Sequence, residues 1–268
     1  MRIFQFLKIL TPIYSVYALS YYPYDPRIHN FGNIGFGGKI HASLARQITR
    51  IIDIAAYNGE DIRYTILQKL KKENSINPSF ISDWCCGAAM STDALYQTFQ
   101  NSSIIAVDTS NEMIAVAKKS SDSLAEFIID DAESVTLKNK ADLITIMFGF
   151  HEIPQQGRLN ILKNAIKNLS QNGSVLVVDI DMAYTPSKMM LSGEPYIHDY
   201  LANVQKDINS LFKNVIETVA VEGHVRHWLC SNPKSYEITK TIFIWLINDK
   251  TFYDDHISRN TYIIITNV

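Results

Sequence analysis

The chain has 268 residues, 47% of them hydrophobic and 19% charged, enough to bury one sizeable core with an extension, or at most two small domains. That balance excludes a disordered or fibrous protein. With 25 Lys+Arg against 27 Asp+Glu there is no global positive field to concentrate a polyanion, so nucleic acid is not an expected partner. Three cysteines, Cys85, Cys86 and Cys230, form neither a disulfide framework nor a CxxC zinc pair, so a reducing, cytoplasmic compartment without a structural metal is expected.

Arg2 precedes an apolar-leaning stretch that ends in Ala18 and Ser20, which makes residues 1–20 a candidate targeting segment. Gln5, Lys8, Thr11 and Pro12 interrupt it, leaving a poor signal core and too polar a membrane span. No later segment approaches the roughly 18 uninterrupted apolar residues a span needs, so no integral membrane segment is expected.

From Tyr21 to Gly38 the chain is rich in Gly, Pro, Asn and aromatics and reads as an irregular, anchored segment. Within it, residues 26–33 are expected to act as a lid over a site or as a strap across the sheet. Ile40, Leu44, Ile48, Ile51, Ile52 and Ala55 recur at helical spacing and predict a helix ending at Asn58-Gly59. Ile62, Ile66, Leu67 and Leu70 predict a second helix, and the proline-containing run Asn74–Ser79 marks a junction near residue 75. The expected organisation is an N-terminal extension over 1–74, a main domain over 75–248 and a tail over 249–268.

Beyond the junction the pattern alternates. A strand at Phe80–Trp84 precedes a helix from about Ser91 to Gln100, then a strand at Ile104–Val107 and a helix at Asn111–Lys119. Strands near Phe127–Ile129 and Leu143–Phe148, a helix over Gln156–Leu169, a turn at Asn172-Gly173 and a strand at Val175–Ile180 complete the run. Strand alternating with helix predicts an α/β, doubly wound and mostly parallel sheet. A helix between Tyr196 and Phe212 follows, and two β-rich runs, Val215–Trp228 and Thr241–Ile247, are expected to pair as an antiparallel edge hairpin.

Ligands of open parallel sheets sit outside the carboxyl ends of the strands, where strand order reverses. After the first strand stands Asp83-Trp84-Cys85-Cys86-Gly87-Ala88-Ala89, small residues that allow close backbone approach. The second strand ends in Asp108-Thr109, a carboxylate placed to accept from a ribose diol. Asp130-Asp131-Ala132 after the third strand offers an acceptor for an adenine amino group, and Phe148-Gly149-Phe150-His151-Glu152 follows the fourth.

These runs resemble the class I S-adenosylmethionine-dependent methyltransferases, especially the small-molecule branch that includes quinone C-methyltransferases, over roughly Phe80 to Ile180. ISDWCCGAAMST stands where that family has its glycine-rich first motif, IIAVDTSNEMIAVAKK where it has the acidic second strand, and DDAESV where it has the adenine-side acid. The departure is in the first motif: of the usual Gly-x-Gly-x-Gly only the central Gly87 remains, with Cys85 and Ala89 at the flanking places. The resemblance implies S-adenosylmethionine as cofactor and a small, apolar or aromatic molecule as acceptor. It implies that Asp83, Cys85 and Gly87 line the amino-acid half of the cofactor, and that Asp108 and Thr109 hold the ribose. Met113 would pack on adenine, Asp130, Asp131 and Ala132 would surround its amino group, and Phe148 would close the rim.

His151 is the candidate general base and Glu152 its orienting group, with a cap on the next helix as the alternative for Glu152. Tyr196 and His198 are candidates for the acceptor side, and one face of Gly223–Trp228 is a candidate wall or else a solvated edge strand. Cys85 and Cys86 read as small fillers, since no base stands beside them in sequence. Two alternatives remain open: a binding protein that keeps the cofactor without turnover, and a nicotinamide-dependent oxidoreductase, for which DWCCGAAM lacks Gly-x-Gly-x-x-Gly.

Overall fold

In a computed structural model of the chain, residues 27–30, 32 and 35–234 are described; the candidate targeting segment and the Thr241–Ile247 run lie outside them. A short 3-10 turn at Ile28–Asn30 leads to helices α1 (Gly35–Ala56) and α2 (Ile62–Asn74). Then come β1 (Phe80–Trp84), α3 (Met90–Thr98), β2 (Ser103–Asp108), α4 (Asn111–Ser120), β3 (Glu126–Ile129) and β4 (Ala141–Met147). A second 3-10 turn, Phe150–Glu152, precedes α5 (Gln155–Asn168), β5 (Leu169–Ile180), α6 (Lys188–Gly193), α7 (Ile197–Leu211), β6 (Phe212–Val221) and β7 (Val225–Pro233).

The seven strands lie in the order β3-β2-β1-β4-β5-β7-β6. The first five are parallel, and β7 runs antiparallel to both β5 and β6. Strand alternation divides the core into two layers. Ile144, Ile146, Val175 and Val177 pack with Ile161, Leu162, Val204 and Ile208 of α5 and α7. Leu143, Met147, Leu176 and Val178 face the other way, against Ile66 and Leu70 of α2, Leu95 of α3 and Phe99 just beyond α3. Strand order reverses between β1 and β4, which opens the crevice at their carboxyl ends.

Helix ends follow from local polar groups. Asp61 accepts from the amides of Arg63 and Tyr64 at the start of α2, and Ser110 Oγ accepts from Met113 N at the start of α4. At α5 the residue before the helix is Pro154, without a side-chain cap, and α7 supplies the partner: Gln155 N donates to Asp199 at 2.9 Å. Arg158, fully buried, then ties α5 to α7 by donating to Asp207 at 3.0 Å and to the Ile153 carbonyl at 2.7 Å, with Asp199 3.0 Å away. Arg158→Met is expected to lower unfolding free energy by about 3–5 kcal/mol, because it strands the buried Asp207 carboxylate. Chemical denaturation measures it, and an unchanged midpoint would show that Asp207 is satisfied without Arg158.

One expectation changes. The Val215–Trp228 run is two strands, because Gly223, at φ +66°, turns the chain between β6 and β7. That makes β7 an interior strand, so Val225, His227 and Trp228 are buried within the sheet and form neither a site wall nor a solvated edge. Helix α1 forms as expected, and its apolar stripe faces outward: Leu44, Ile48, Ile51 and Ile52 are exposed. Its inner face is small and polar instead, with Ala42 and Asp53 buried and Arg46 paired to Asp93 of α3 at 2.9 Å. Among the described residues no helix is long and apolar enough to cross a membrane.

Candidate functional site

The turn after β1 is built on left-handed backbone. Cys85 (φ +57°), Gly87 (φ +51°) and Ala89 (φ +71°) all adopt it, so the flanking cysteine and alanine keep a conformation that glycine adopts without strain. Asp83 holds this turn from below. Its carboxylate, fully buried, accepts from Ser91, Thr92 and Thr145 hydroxyls at 2.7 Å each, Thr145 being its register partner on β4. Burial raises its pKa. Asp83 therefore does not reach the cavity as the sequence suggests; it pins α3 and β4 beneath it.

Over the turn lies a cavity of about 200 Å3 that opens to solvent. Cys85, Gly87, Asp108, Thr109, Met113, Asp130, Asp131, Ala132, Phe148 and Glu152 all line it, so ten sequence-selected residues from four strand ends converge there. Asp108 accepts from Gly87 N and from Ser110 N, both at 2.8 Å. Burial nonetheless lifts its carboxyl to a pKa of about 6. Each oxygen retains a second lone pair for a ligand hydroxyl. Asp131 accepts from Glu133 N at 2.8 Å, which shapes the loop after β3. Gly149 permits the β1 and β4 turns to meet, since a Cβ there would stand 3.0 Å from that of Cys85.

His151 is placed differently from expectation. Its Nδ1 is 2.6 Å from Asp179 Oδ1, at the end of β5, and its ring is not part of the cavity wall. Burial opposes its charge, but Asp179 overrides this and holds its pKa up at about 9, so it stands as a cation near neutral pH. Asp179 orients it, not Glu152, whose Oε1 is 4.0 Å from His151 Nε2. Glu152 pairs instead with His29, at 3.1 Å. Nor does Glu152 cap α5, where Asp199 takes the first amide.

Tyr196 and His198 do not line the cavity. The helical period that buries Ile197 and Tyr200 leaves His198 exposed, and Tyr196 sits ahead of α7 with the Arg27 guanidinium 6.0 Å above its ring. From the same stretch it is Glu194 that approaches the site, 3.0 Å from His29 Nδ1.

The sequence also left residues unassigned that the fold brings in. His41, Ala45 and Thr49 of α1 form one wall together with Ile28 and His29 of the segment expected as a lid or strap, and Arg63 of α2 lies 4.3 Å over the Phe148 ring and joins the lining. His29 and His41 stack with centroids 3.9 Å apart. Burial disfavours charge on both, yet Glu152 and Glu194 raise His29 to about 10, while His41 falls to about 4 and is neutral. Burial pushes the thiols of Cys85 and Cys86 well up, which disfavours the thiolate at both.

Comparison with known proteins agrees with this geometry. Residues 81–173 match a family described as a methyltransferase domain. Over 112 residues the chain is 37% identical to malonyl-[acyl-carrier protein] O-methyltransferase 2 of Coxiella burnetii, covering 41% of this chain and 39% of that protein. The chain thus matches about two fifths of the length of this curated relative. Among solved structures, the plantazolicin methyltransferase BpumL in complex with SAH superposes with a TM-score of 0.52 at 16% identity, over 72% of this chain and 96% of that one. A putative O-methyltransferase of Nostoc punctiforme gives 0.55 at 18% identity, over 74% and 62%. Strand order, the left-handed turn after β1 and Asp108 agree with that match: residues 81–173 form a methyltransferase domain.

Proposed function

We propose that this chain transfers a methyl group from S-adenosylmethionine to a small, apolar or aromatic acceptor. The observation that carries the reading is Asp108, a carboxylate at the end of β2 whose oxygens are fixed by Gly87 N and Ser110 N on the wall of the cavity. The residues fit the cofactor: Asp108 would accept both ribose hydroxyls, Met113 would pack on adenine and Asp131 would accept from its amino group. Gly87 has open space where a Cβ would be, which lets backbone approach the methionine portion. The Arg63 guanidinium suits the methionine carboxylate, a partner not legible in the sequence.

When bound, S-adenosylmethionine supplies an electrophilic methyl on a sulfonium, and transfer needs chiefly in-line placement of the acceptor. Placement falls to the wall formed by Ile28, His29, His41, Glu152 and Ile153. Ile28 and Ile153 are apolar and buried, which supports an apolar acceptor body. His151 lies behind this wall and acts, in this reading, by holding the Phe150–Glu152 turn in place. A second reading of the acceptor, a malonyl thioester, follows from the printed name of the Coxiella relative.

The test incubates the protein with S-adenosylmethionine and a panel of phenols, quinols and malonyl thioesters, and measures S-adenosylhomocysteine. Acceptor-dependent product is expected. Saturated cofactor binding with no product across the panel would favour the non-catalytic alternative.

A further inference from the structure

His29, Glu152 and Glu194 come from three separate segments and meet at one edge of the cavity. His29 Nε2 is 3.1 Å from Glu152 Oε1, and His29 Nδ1 is 3.0 Å from Glu194 Oε1. One ligand atom from each lies within 4.8 Å of the others. The approach is enforced by backbone: His29 has φ +53°, and at Gly193 a Cβ would stand 2.9 Å from Asn30 Nδ2 and 3.3 Å from His29 Cα.

The cluster is incompletely satisfied as it stands. Glu194 is 7% exposed, and its Oε2 is buried without a hydrogen-bond partner. His41, stacked on His29, has a buried Nδ1 in the same condition. A buried carboxylate oxygen left unpaired is costly, and a proton shared through His29 reaches only the other oxygen of Glu194. A cation bound among these groups would use that lone pair.

We propose that His29, Glu152 and Glu194 form a binding site for a divalent transition-metal cation. One imidazole with two carboxylates is a donor set suited to Zn2+, Mn2+ or Fe2+, whereas Ca2+ takes oxygen ligands alone. The exchange balances: the cation takes the lone pair of one His29 nitrogen, the proton on that nitrogen leaves to solvent, the other nitrogen keeps its N–H, and no group is oxidised or reduced. Glu152 and His29 both face the cavity, so the cation would stand at its acceptor end. There it would bind an acceptor oxygen and lower its pKa; this role rests on the proposed methyl transfer, whereas cation binding does not.

The full chain, stripped with chelator and dialysed, is titrated with Mn2+ by electron paramagnetic resonance and with Co2+ by visible absorption. Glu194→Gln and His29→Gln are measured alongside, and S-adenosylmethionine titration with circular dichroism verifies that each variant is folded. One site in the wild-type chain is expected, weakened roughly tenfold or more in each variant. No cation binding by folded wild-type protein overturns the proposal, and so does binding that neither variant alters, which places the ion elsewhere. If cations bind and S-adenosylmethionine does not, the metal site stands and the methyltransferase reading fails.

Discussion

Replacing Asp108 with alanine is expected to leave a folded chain whose affinity for S-adenosylmethionine is lower by roughly 100-fold or more. Hydrogen bonds to a charged acceptor contribute about 1.5–3 kcal/mol each, and a ribose diol makes two; each 1.4 kcal/mol is about tenfold. The same carboxylate orders the β1 turn through Gly87 N, so the loss includes some disorder of that turn. Asp108→Asn keeps one acceptor oxygen and is expected to fall between the two. Titration calorimetry with circular dichroism as the folding control measures this, and undiminished affinity in folded Asp108→Ala would remove Asp108 from the site.

The pH dependence of binding follows from the same residue. Burial raises the Asp108 pKa from 3.8 to about 6. A group raised on folding favours the folded state while protonated: its contribution is complete below about 3.8 and is lost as pH rises through about 6. Ribose hydroxyls donate to the ionised form, so cofactor affinity is expected to drop as pH falls through about 6, and the drop should vanish in Asp108→Asn. An identical profile in both proteins would assign the titration to another group.

The largest stability effect at the site is expected from Asp179→Ala. Asp179 is fully buried and accepts from the amides of Phe150 at 2.8 Å and His151 at 3.2 Å, besides the His151 ring at 2.6 Å. Removing one partner of a buried charge pair costs about 3–5 kcal/mol, and here it also frees the turn that carries Glu152. At roughly 2–4 °C per kcal/mol for a chain of this size, Tm is expected to fall by about 10 °C. Asp179→Asn keeps the shape and one acceptor and is expected to lose less. A thermal melt of Asp179→Ala that matches wild type would mean the Phe150–Glu152 turn is held by packing alone.

Much of the fold was legible because buried parallel strands read as short apolar runs between turn signals. Asp108 and the Asp130-Asp131 pair were read from position, at or just after the ends of consecutive strands, and all three line the cavity. An antiparallel hairpin at the sheet edge was expected and is present, but its bounds were misplaced although the signal was there: Gly223 interrupts Val215–Trp228 and takes the turn conformation. For α1, periodicity identified a helix with one apolar face, but a period cannot say which face meets the domain. Here the inner positions are Ala42, Arg46 and Asp53, chosen by close approach and by the Asp93 pair.

The acceptor end was the least legible part. His29 and Glu194 are far apart in sequence, and neither carries a motif; only the Ile28–Asn30 turn packing against Gly193 joins them. His151 and Glu152 are neighbours in sequence, which suggested a pair, yet each takes a partner from elsewhere, Asp179 and His29. Asp83 stands where the cofactor acid was expected, and the three hydroxyls around it turn it into a support for the site.

The most direct test of the central claim is isothermal titration of the purified wild-type chain with S-adenosylmethionine and, in parallel, with NADH. Saturable binding of S-adenosylmethionine and none of NADH is the expected result. A folded chain that ignores S-adenosylmethionine, or that takes up NADH in its place, would contradict the assignment of this cavity.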